Sequence, residues 1–90
     1  MPISEEKMRQ LRRVKTAHEG ELMRKANVVG VGIGFRRRRG EAADEPVIVV
    51  SVTRKVPRSQ LNAEDVVPHE LDGVPVDVEA VGTLRAFDGA

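Results

Sequence analysis

Two runs of β-forming residues, NVVGVGIGFRR over 27–37 and PVIVVSVT over 46–53, fix most of what this chain can fold into. Along the first, Val29, Val31, Ile33 and Phe35 alternate with Val28, Gly30, Gly32 and Gly34, so period-two geometry gives the strand one apolar side and one nearly bare side. Along the second, Ile48, Val50 and Val52 oppose Val47, Val49, Ser51 and Thr53; both sides are partly apolar, which marks a central strand. The intervening RRRRGEAADE is polar, contains a glycine and is short enough for an antiparallel hairpin. Strands are expected over about 28–37 and 46–54.

The glycines do not spell a phosphate loop. A dinucleotide fingerprint needs G-x-G-x-x-G between strand and helix, whereas this run is G-x-G-x-G followed by arginines, and a Walker-type loop needs a lysine that is absent between Lys25 and Lys55. The bare side instead reads as a surface that lets another backbone come close, the chain's own N-terminal helix first and a neighbouring chain as the alternative that the sequence leaves open.

That helix is expected over about 4–26. Ser4 is a good N-cap, Glu5 and Glu6 put negative charge on the first turn, and Ile3 can staple onto Met8. Met8, Leu11, Val14, His18 and Leu22 recur every three or four residues along one face, and Arg9, Arg12, Arg13 and Lys15 fall to the side and back. An interior glycine costs about 1 kcal/mol against alanine, so a kink or break is expected at Gly20, with Asn27 ending the helix.

The last third supplies the rest of the sheet. VPRSQLNAEDVVP reads as a connection holding one short turn, capped by Asn62 and closed by Pro68. Asp72-Gly73 suits a type I′ hairpin turn between a short strand within 67–71 and a strand over about 74–81, where Val74, Val76 and Val78 alternate with Pro75, Asp77 and Glu79. Pro75 favours a sheet edge, and Phe87 is expected to tuck back while residues 86–90 form a tail.

At 90 residues there is room for one domain and one core, and with no Cys, Trp or Tyr that core is built from Val, Ile, Leu, Met and Ala. The fold expected over 1–90 is α+β: an N-terminal amphipathic helix packed on a small, mainly antiparallel sheet of three or four strands. Without disulfides or thiolate metal sites, a chain this small gains stability most readily from a partner subunit. No signal-peptide pattern and no span of membrane length occur, so a cytoplasmic chain without membrane contact is expected.

Charge is split. Residues 1–40 hold eleven Lys or Arg against four Glu, a net +7, and residues 41–90 hold four against ten, a net −6. Such complementary halves close internally or join copies. Arg36, Arg37, Arg38 and Arg39, with Arg9, Arg12 and Arg13, form the candidate basic surface, and Gly30, Gly32 and Gly34 form the candidate packing surface. Nucleic-acid grips usually add stacking aromatics or a groove-entering helix, and Glu41, Asp44 and Glu45 stand beside the arginine run to pair with it.

Catalytic groups are sparse. Ser4, Ser51 and Ser59 read as a helix cap, a strand residue and a loop residue, with no sign of a positioned base or oxyanion hole. His18 reads as a packed helix residue. His69, Glu70 and Asp72 do not match a metal-binding spacing, and no cofactor is expected.

The segments NVVGVGIGF, VTRKVPRSQL, VVP and LDGVPVDVEAVG together resemble the segment ahead of the catalytic domain in a group of bacterial trypsin-like serine peptidases and related uncharacterised proteins, over roughly residues 20–85. The resemblance implies an accessory α+β module and no peptidase activity here, since the Gly-Asp-Ser-Gly setting of the catalytic serine is absent. The function expected is therefore a non-enzymatic interaction or assembly module, self-associating or docking on a larger partner such as a trypsin-like peptidase. The alternative is a nucleic-acid or anionic-surface binder using the basic helix and Arg36–Arg39.

Overall fold

The computed structural model describes residues 4–37 and 44–82. Its elements run α1 (Glu5–Met23), β1 (Val28–Arg37), β2 (Asp44–Val52), β3 (Glu70–Leu71) and β4 (Val74–Ala80), with two short 3₁₀ turns, Arg58–Gln60 and Ala63–Asp65, between β2 and β3. The α+β arrangement expected from the sequence is the arrangement found. Ile3, Arg38, Arg39, Glu41, Phe87 and the tail 86–90 lie outside the described residues.

The Ser4 hydroxyl accepts the Lys7 amide at 3.0 Å and so starts α1, with Glu5 and Glu6 in the first turn. Contrary to expectation the helix runs unbroken through Gly20, because Leu22 beyond it is buried in the core and continuing the helix is what brings it there. It ends at Met23, three residues early. The Arg24 and Lys25 amides return to the carbonyls of Glu21 and Leu22, and Asn27 at φ 70° turns the chain into β1.

The sheet order is β1-β2-β4-β3. β1 pairs β2 antiparallel and β3 pairs β4 antiparallel, while β2 and β4 run parallel, joined by the crossover that residues 53–69 make possible. Asp72 and Gly73, at φ 49° and 81°, supply the two left-handed residues that a type I′ turn demands. Pro75 does not sit on the outermost strand, but it flanks the two-residue β3, where little pairing is interrupted.

Register assigns the faces. Val31 and Ile33 oppose Val50 and Ile48, which in turn oppose Val78 and Val76, so all six share one side. Leu11, Val14 and Leu22 of α1 pack on that side, and Val67 and Leu71 close it towards β4. A β-bulge between Val28 and Gly30 corrects the expected strand pattern: Val28 opposes Val52 and is buried, while Val29 is the inserted residue and stands exposed.

Candidate functional site

The opposite face of the sheet carries Gly30, Gly32 and Gly34 beside Ser51, Val49 and Val47, with Asp77 and Glu79 beyond. The expectation that α1 lies on the glycines is overturned, because α1 covers the other, apolar side. A Cβ built on Gly32 meets nothing within 4 Å, and one on Gly30 meets only Ser51 at ordinary contact distance. Gly34 alone has a close neighbour, Val49 Cγ2, at 2.9 Å from such a Cβ. The bare strip thus accommodates one valine side chain and otherwise faces outward among the described residues.

Arg36 closes one end of this face. Its Nε donates to Asp77 at 3.0 and 3.2 Å, its Nη2 also donates to Asp77, and its Nη1 donates to Glu45 at 3.3 Å. These Asp77 bonds, with the two carboxylate charges, outweigh partial desolvation and raise the guanidinium pKa above its ordinary value. Arg36 is thus a committed structural cation rather than a free anion-binding group. Arg37 follows it in β1, and Arg38 and Arg39 fall outside the described residues.

Arg9, Arg12 and Arg13 are exposed on α1, which lies across the sheet from the glycines. The structure therefore does not bring the two halves of the expected interaction surface together: the basic helix and the glycine strip occupy opposite sides.

Sequence reasoning missed a second concavity. The 53–69 connection leaves a cleft of about 700 Å³ against β2 and β4. Its path is pinned at several points: Lys25 Nζ donates to the Glu64 carbonyl at 2.6 Å, the Ala26 amide to Asp65 at 2.9 Å, and the Val76 amide to the His69 carbonyl at 2.8 Å. Arg58 Nη2 donates to the Val67 carbonyl at 3.4 Å and lies 2.8 Å from His69 Nε2, which accepts because a guanidinium has only donors. His18 Nε2 meets Asp72 Oδ2 at 2.9 Å and ties α1 to the β3–β4 turn, so His69 and Asp72 have separate partners. Among its lining residues are Arg54, Lys55 and Arg58, which the sequence does not single out, and nothing in their spacing announces that apolar residues from β2 and β4 line the same cleft.

Residues 5–81 match the family described as the NARROW LEAF 1 N-terminal domain, which is nearly the whole described chain. The chain belongs to the NARROW LEAF 1 N-terminal domain family. A curated relative, Protein NARROW LEAF 1 of Oryza sativa subsp. japonica, is 37% identical over 68 residues, covering 72% of this chain and 12% of the relative. The chain thus spans a small part of the length of that relative. The finding corrects the resemblance to segments ahead of bacterial trypsin-like peptidases and, with it, the expected peptidase association. The quoted motifs are strand and turn patterns without a catalytic group, and such patterns are not tied to one enzyme class.

Among the described residues no helix is long and apolar enough to cross a membrane.

Proposed function

We propose that this NARROW LEAF 1 N-terminal domain is a non-enzymatic assembly module that pairs with a second copy of itself through the outer edge of β1. The observation that carries this reading is the character of that edge. β1 is ten residues long, ends the sheet order and has no described strand beside it. From Val28 to Phe35 it holds neither charge nor proline, two of the devices that keep an edge from pairing; the bulge at Val29 is its one irregularity, and Val29 and Phe35 are 38% and 54% exposed.

The spacing favours a two-fold partner. Antiparallel pairing of two β1 strands centred on Gly32 sets Val29 opposite Phe35 of the second copy, Val31 opposite Ile33, and Gly30 opposite Gly34. From Val29 to Phe35 every facing pair is apolar or bare, Val28 faces Arg36, and no like charges meet.

Light scattering on a size-exclusion column tests this at low salt and at roughly ten-fold higher salt, since salt screens charge and spares strand pairing. The expected mass is twice the 9.9 kDa of the chain at both salts. The V29K/F35K variant, which sets like charges opposite each other at both symmetric positions, is expected to run as a monomer with unchanged far-UV circular dichroism. A wild-type monomer at both salts overturns the reading.

A second reading, binding to nucleic acid or another anionic surface, rests on the exposed row Arg9, Arg12 and Arg13. Serine at all three positions is then expected to abolish salt-sensitive retention on heparin, and unchanged retention removes the idea.

A further inference from the structure

The cleft under the 53–69 connection runs along the free edge of β4, at the opposite side of the sheet from the strand proposed for assembly. Successive β4 residues line it, Val76 and Val78 from the apolar face and Pro75 and Asp77 from the other, whereas β2 contributes only residues near its ends, Glu45 and Val52. A single cleft that meets both faces of one strand follows that strand's edge. We infer that it is a slot for an extended peptide, which joins the sheet as a further strand beside Val78 and Ala80.

The main chain selects this occupant. The Val81 amide donates to the Val52 carbonyl of β2 at 2.8 Å, and the Val76 amide donates to the His69 carbonyl on the other side, also at 2.8 Å. Odd-numbered residues at this end of β4 therefore turn their main-chain groups to β2, and even-numbered ones turn theirs outward. β3 is only two residues long and leaves the outward groups beyond Val76 uncovered, so the amides and carbonyls of Val78 and Ala80 have no partner among the described residues. Such a row is matched in spacing and direction by another extended main chain.

The surroundings suit that guest. A volume of about 700 Å³ leaves room for a short segment, and Val56, Leu61, Val66 and Val67 of the connection line the same cleft, each half-buried and able to give up surface. Four cations and four carboxylates line it and favour neither sign, so recognition rests on main-chain pairing and on apolar side chains at alternate positions. β3 is antiparallel to β4, and a guest that prolongs its line is antiparallel too. Its apolar residues then stand directly opposite Val78 and Ala80 and exchange both main-chain bonds with them, while the residues between turn their amides away.

The probe is the neutral peptide acetyl-Thr-Val-Thr-Val-Thr-amide, titrated into the isotopically labelled chain and followed by amide NMR shifts. Saturable shifts are expected at Val66, Val67, Val78 and Ala80. N-methylation of both peptide valines, whose amides face β4, is expected to weaken binding roughly ten-fold or more, the loss of two main-chain bonds, whereas N-methylation of the last two threonines changes it less than about three-fold. In the protein, Ala80→Pro removes one outward donor and spares the ladder to β2; with unchanged far-UV circular dichroism it is expected to bind the probe about five-fold more weakly. The methylated pair decides the matter even where that variant fails to fold. No saturable shift, shifts confined to β1, equal affinity of the two methylated peptides, or wild-type affinity in a folded Ala80→Pro overturns the assignment.

Discussion

Arg36 on β1 grips Asp77 on β4 across the strand between them, and the register places Val47, wholly buried, under the bridge. The bridge thus spans the position of a buried valine on the face that α1 does not cover. It also explains why the arginine run begins with a residue unavailable for binding.

The stem and the charge of Arg36 are separable. Its side chain and that of Asp77 are 33% and 36% exposed, so the ion pair itself is expected to contribute only about 0.5–1 kcal/mol, and Asp77→Asn should lose that much. Arg36→Ala also uncovers Val47 and should lose about 1–2 kcal/mol, whereas Arg36→Met keeps the apolar cover and should fall between. Urea denaturation of the three variants checks the order. The pKa of Arg36 is raised in the fold, so its contribution is complete below the unfolded pKa and is lost only as pH rises through the folded one, in strong alkali. Stability near neutral pH is therefore expected to be insensitive to this group.

The glycine strip gives a paired prediction. Gly32→Ala meets open space and restricts the unfolded chain, so it should be neutral or stabilise by about 0.5–1 kcal/mol. Gly34→Ala drives a methyl to 2.9 Å from Val49 Cγ2 and should destabilise, by about 1–3 kcal/mol unless Val49 turns away. Equal thermal midpoints for the two variants would contradict the assigned face.

What the sequence made legible follows from which forces are local. Ser4 and the Asp72-Gly73 turn act on their immediate neighbours, and the alternation of Ile48, Val50 and Val52 declares a strand wherever it lies. The bulge at Val29 was not legible, because a run of VVGVGIG has the same alternation with or without an inserted residue, and only pairing to Val52 and Ser51 decides it. The side that α1 covers was likewise a choice between two surfaces of one sheet, settled by the apolar residues of β2 and β4 together. The cleft depends on where a connection of little regular structure runs, and that path is held by Lys25 and Ala26, both 39 residues from their partners, and by Val76 beyond the β3–β4 turn.

Asn27 marks the joint between α1 and β1. Its φ of 70° lies in the left-handed region, which asparagine tolerates and β-branched residues do not. Asn27→Gly is expected to change stability by less than about 0.5 kcal/mol, while Asn27→Val should cost about 1–2 kcal/mol. Chemical denaturation separates these outcomes, and a Val variant as stable as the wild type would mean that the joint relaxes without cost.

Gly20 tests how tertiary packing overrides local preference. The helix passes through it to deliver Leu22, 1% exposed, to the core, and a Cβ on Gly20 meets nothing within 4 Å. The glycine therefore carries its entropic penalty without a steric reason for being there. Gly20→Ala is expected to stabilise the domain by about 0.5–1 kcal/mol and to raise the thermal midpoint by a few degrees, with no change in helix content by circular dichroism. Destabilisation instead would show that α1 must bend at this residue to seat Leu22, and the unbroken helix would then be the feature to revise.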